Sequence, residues 1–147
     1  MKFKVWHYHF LIVLIALLMG SSCAPMTPWD RLSARVVELY QQGMYSEATE
    51  VAEEAVRIAK KALGPDHPSV ATSLNNLALL YKAQGEYAEA EPLHKRALEI
   101  WEKALGPDHP NVATVLEIMA ELYEDMGNVD EAMKMKKRAE EIRLRNQ

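Results

Sequence analysis

The chain has 147 residues, 49% of them hydrophobic and 26% charged, which suits one modest globular domain plus a short extra segment. Its formal net charge is −4, and setting aside an N-terminal stretch that holds Lys2 and Lys4 leaves 15 basic against 21 acidic residues, so nucleic acid is not an expected partner. The single cysteine, Cys23, excludes an internal disulfide and a cysteine zinc cluster.

Lys2 and Lys4 precede an unbroken apolar run from Phe10 to Met19, and Gly20-Ser21-Ser22 then leads to Cys23. A basic start, an apolar core and a small-residue exit read as an export signal over residues 1–22. The run is about half of the roughly 20 residues a spanning helix needs. The stretch Met19-Gly20-Ser21-Ser22-Cys23 resembles the lipobox of bacterial lipoproteins, with Gly20 where that motif usually has leucine. The resemblance implies a lipid on Cys23 and a membrane-anchored protein of the bacterial cell envelope, on its periplasmic face. Cleavage after Ser22 or Ala24 and an uncleaved anchor are the competing readings. Pro25 and Pro28 forbid a helix across residues 23–28, as a tether requires.

From Trp29 on, the sequence repeats. Gly43, Gly85 and Gly127 stand 42 residues apart, as do Ala48, Ala90 and Ala132, then Ala55, Ala97 and Ala139, then Ile58, Ile100 and Ile142. A fixed period of this size signals stacked supersecondary units. In the first unit, about 29–64, the stripe Trp29, Val36, Val37 and Tyr40 fits the period only if one residue is missing before Gly43, with Ser33 an imperfect match. A second stripe follows at Ala48, Val51, Ala55, Ile58 and Ala62.

The phrase Leu63-Gly64-Pro65-Asp66-His67-Pro68 then leads into the second unit, about 69–106. Val70, Leu74, Leu77, Ala78 and Tyr81 form one helical face, Gly85 falls where a left-handed residue ends a helix, and Ala90, Leu93, Ala97, Ile100 and Ala104 form a second face. The phrase recurs as Leu105-Gly106-Pro107-Asp108-His109-Pro110 and opens the third unit, about 111–145. There the stripes are Val112, Leu116, Met119, Ala120 and Tyr123, then Ala132, Met135, Ala139 and Ile142. Six helices in three antiparallel pairs are expected. Short alanine side chains at the stacked positions let helices cross closely.

The pattern Leu77-Ala78-x-x-Tyr81, Gly85, Ala90 and Ala97 resembles the tetratricopeptide repeat, and the 42-residue step with Leu-Gly-Pro-Asp-His-Pro resembles the longer variety found in kinesin light chains. The resemblance implies an all-α fold over residues 29–147: three helix-turn-helix repeats stacked as a short right-handed solenoid. His94 and Lys136 depart from it, standing where the family often has an aromatic residue. Lys136 would fit a terminal cap.

His67 and His109 sit in the same turn of two repeats, where Asp66 and Asp108 are candidates to cap the following helix and Pro68 and Pro110 suit its first turn. That accounts for both copies without a metal. No catalytic triad spacing and no glycine-rich phosphate loop is present, so no enzyme activity, cofactor or metal is expected. The resemblance instead implies that the first helix of each pair lines a groove for a protein or peptide. Carried over by position, the second unit would present Thr72, Asn75, Leu79 and Lys82. The third would present Thr114, Glu117, Glu121 and Glu124, and the first Arg31, Ala34, Glu38 and Gln41. Asn75 is the best single candidate, because an amide pairs with both groups of an extended backbone. Glu117, Glu121 and Glu124 share one face and predict a partner carrying Lys or Arg at one end. Pairing of two chains through the solenoid ends is a further expectation.

Overall fold

The structure, a computed structural model, describes residues 26–146. It contains helices α1 (Pro28–Gln41), α2 (Tyr45–Leu63), α3 (Pro68–Gln84), α4 (Tyr87–Leu105), α5 (Pro110–Asp125) and α6 (Val129–Arg145). Each helix packs on its neighbours in the chain, and α1 also touches α3, so the three pairs α1/α2, α3/α4 and α5/α6 stack in sequence order. The fold is the expected all-α repeat array. The export signal and Cys23 lie outside the described residues.

The core follows the stripes. Leu39, Leu80, Ile100, Leu116, Met119, Leu122 and Ile142 are fully buried, and Ala48, Ala90 and Ala97 close the helix crossings with no exposed surface. Removing such side chains from water is the main stabilising effect. Trp29 adds a polar tie between repeats, its indole Nε1 donating to the Ser73 hydroxyl at 2.6 Å.

The first repeat corrects the expected register. Met44 N–H donates to the Leu39 carbonyl, as Glu86 does to Tyr81 and Asn128 does to Tyr123. Leu39 is therefore the counterpart of Tyr81 and Tyr123, the step is 42 throughout this turn, and no residue is missing before Gly43. Val36 and Leu39 enter the core, whereas Val37 and Tyr40 are only half-buried. The first helix is shorter at its beginning instead: Thr27 caps it by accepting from Asp30 N–H, and the Asp30 carboxylate accepts from Thr27 N–H at 2.7 Å.

The repeated phrase has a division of labour. Gly64 (φ 90°, ψ 159°) and Gly106 (φ 93°, ψ 156°) stop α2 and α4 in a backbone conformation that is essentially restricted to glycine. The cap of the next helix is the histidine. His67 Nδ1 accepts from Ser69 N–H and His109 Nδ1 from Asn111 N–H, each at 3.1 Å, which fixes the Nε2–H tautomer of both rings. The aspartates expected to cap do something else. Asp66 accepts from Arg96 at 2.6 Å and from Lys103, and Asp108 pairs with Arg145 at 3.3 Å. The Lys103 ammonium, and then Arg96, hold the Asp66 carboxyl below the usual carboxylate range. Each aspartate thus ties its turn to the second helix of the following repeat. The histidine, one residue closer to the helix than the aspartate, reaches the free N–H first.

Candidate interaction surface

The first helices of the three repeats meet along one face. Val37 and Tyr40 of α1 pack with Leu79 of α3 and Ile118 of α5. Tyr40 also meets Tyr45, ring centroids 5.3 Å apart and planes tilted by 60°, and burial raises the pKa of its hydroxyl. Between α1 and α3 this face carries a shallow pocket lined by Val36, Val37, Tyr40, Asn76 and Leu80. It offers about 10 Å³, room for roughly one water. Such a depression accepts the tip of an apolar side chain, not a small molecule.

The residues carried over from the family fall into three groups. Thr72 is buried and donates its hydroxyl to the Pro68 carbonyl at 3.3 Å, within its own helix. Asn75 is only 4% exposed, and its Oδ1 lies 2.9 Å from Nδ1 of His94 on α4. The amide is turned into the repeat rather than held out to a partner backbone. Leu79 is likewise 4% exposed, at the centre of the apolar strip. Val37 and Tyr40, expected in the core stripe of the first helix, line this inner face instead, together with Asn76, which the sequence did not single out. Asn76 stands one step from Asn75, and helical periodicity alone does not separate two adjacent polar positions.

Lys82, Glu121 and Glu117 are engaged in ion pairs within the chain, the first two with each other and Glu117 separately with Arg143. The Lys82 side chain is 8% exposed, with its ammonium 3.4 Å from Glu121 and 3.2 Å from Asp125. Burial lowers the Lys82 pKa and the Asp125 carboxylate opposes the shift. Glu117 receives both arms of Arg143 at 2.6 Å, and Glu124 takes Lys136 at 2.5 Å. The acidic end expected at Glu117, Glu121 and Glu124 is therefore compensated within the chain, because α3 and α6 bring cations that the helical wheel of α5 does not reveal.

His94 is fully buried, and burial, with the nearby Lys82 charge, pushes its pKa down to about 3. With Asn75 Oδ1 as acceptor the ring proton sits on Nδ1, and Nε2 is a buried nitrogen without a protein hydrogen-bond partner. Among the described residues no three His, Cys, Asp or Glu side chains converge as a metal site would require.

Stacked helix pairs with a shared inner face define a helical repeat array built to present surface. The tetratricopeptide repeat model matches residues 37–95 and again 73–145, and the chain belongs to that family. Among solved structures it is similar to BtubC (BKLC) from P. vanneervenii, with 25% identity and a TM-score of 0.77 over 98% of this chain and 57% of that one. It is also similar to a kinesin-light-chain-type protein with nearly identical TPR-like repeats from Podosopora anserina, with 30% identity and a TM-score of 0.73 over 83% of this chain and 59% of that one. The chain thus spans less than two thirds of either relative. No curated protein matches it.

Proposed function

We propose that the protein is a non-catalytic interaction module, exported and tethered to a bacterial envelope membrane through a lipid on Cys23, which holds an extended segment of a partner protein against α1, α3 and α5. The family membership supports the general role of a protein-binding module. The observation that carries the specific reading is the apolar strip Val37, Tyr40, Leu79 and Ile118, open at the Asn76 pocket and bordered by charges that are already paired within the chain. The tip of a partner's Leu, Ile or Phe side chain buried there gains on the order of 1 kcal/mol, about one methylene's worth. Charge contributes little, since Lys82, Glu117 and Glu121 would have to give up existing ion pairs first.

Asn76→Arg places a cation in the mouth of the pocket. Protein extracted from native membranes should lose its co-purifying partner while its helical content and melting temperature stay unchanged. A partner retained by Asn76→Arg contradicts the groove reading. The tether is read separately: Cys23→Ser should move the chain from the membrane to the soluble fraction, and a variant that stays with the membrane contradicts lipid attachment.

A further inference from the structure

The outer face of α6 differs from the face that α4 uses to receive the next repeat. On α4, Leu98 and Trp101 pack against the core of α5/α6. The residues 42 positions on are Glu140 and Arg143, and Arg143 is folded back onto Glu117. This surface has lost the apolar anchors that seat another repeat. It has gained others: Met133 and Leu144 are 63% and 61% exposed, and with Lys137 and Glu140 they form one stripe at steps of 4, 3 and 4.

The charges in that stripe are the second observation. Lys134, Lys136, Arg138, Arg143 and Arg145 of α6 each have a carboxylate partner within the chain. Among the described residues Lys137 and Glu140, in the middle of the stripe, enter no ion pair. Their order answers itself. If a second α6 lies antiparallel across this face, with the two-fold axis passing between positions 138 and 139, Met133 meets Leu144 of the second copy. Lys137 then meets Glu140 of that copy, twice over. A self-complementary patch is what a two-fold interface demands.

We propose that the Met133–Leu144 stripe of α6 is a homotypic docking surface, which pairs two copies of this chain antiparallel through two Lys137–Glu140 ion pairs. The surface is small, so the pairing is reversible. A membrane that holds both copies in one plane would favour it by raising their effective concentration.

The test uses two differently tagged full-length copies, co-expressed and extracted in mild detergent. The native pair should co-purify. Lys137→Glu in both copies sets Glu against Glu at both contacts and should cut co-purification at least tenfold, as should Glu140→Lys in both. Combining one Lys137→Glu copy with one Glu140→Lys copy recreates two opposite-charge contacts and should restore recovery to near the native level. Failure of the native copies to co-purify overturns the proposal. So does co-purification that neither single charge reversal weakens, which would place the contact elsewhere, and so does a mixed pair that fails to recover while each variant keeps native helical content.

Discussion

Acidification from pH 6.5 to 5 should cost the protein about 2 kcal/mol of stability through one side chain, His94. In the unfolded chain this imidazole takes a proton near its ordinary value of 6.5, whereas in the fold it stays neutral down to about 3. The unfolded state therefore binds more protons throughout that interval. The stabilisation from keeping His94 neutral is fully present above pH 6.5 and is lost as pH falls toward 3, at about 1.4 kcal/mol per pH unit. The carboxylates held below their ordinary range, such as Glu91 beside Lys95 and Tyr123, add their own acid loss only at lower pH. Denaturant titrations at pH 7, 6 and 5 should give midpoints that fall steadily. In His94→Leu the slope across this window should flatten, whatever constant penalty comes from leaving Asn75 without its partner. An undiminished slope in His94→Leu would show that the limb belongs to other groups.

The second large effect concerns the repeated turn. Gly64→Ala and Gly106→Ala should each cost about 1–3 kcal/mol, because an L side chain is strained at φ near 90° with ψ near 160°. The cost is conformational and not steric: a Cβ at either position meets no atom within 4 Å. A D-alanine at Gly64, introduced by semisynthesis, should be tolerated, since its mirror-image preference matches that backbone. The two substitutions lie in separate turns and should add nearly independently in a denaturant melt. A Gly64→Ala variant as stable as the native chain would contradict the conformational argument.

The two effects separate what the sequence displays from what it conceals. The helix pairs were legible because a 42-residue step repeats the same stripes, and Tyr81, Gly85, Ala90 and Ala97 carry a family pattern. The register of the first helix was misread because Tyr40 invites alignment with Tyr81. The hydrogen bond from Met44 to Leu39 settles that alignment, and hydrophobicity cannot. The ties across repeats were present in the sequence but easily missed: Lys103 and Arg145 stand 42 residues apart, as do Asp66 and Asp108.

The interaction surface was less legible. Asn75 looks like an exposed amide on a helix until His94, 19 residues further on, is placed against it. Glu117, Glu121 and Glu124 look like an acidic end until Arg143, Lys82 and Lys136 reach them from other helices. Burial and pairing of polar groups depend on how helices cross, and no single-helix pattern carries that information.

One measurement addresses the interaction role most directly. A photo-crosslinking residue at Asn76, in the mouth of the inner-face pocket, is compared in native membranes with the same residue at the exposed Lys61 on α2. A groove-binding role predicts a discrete crosslinked partner from Asn76 and none from Lys61. Equal labelling from both positions, or the absence of any product at Asn76, would contradict it.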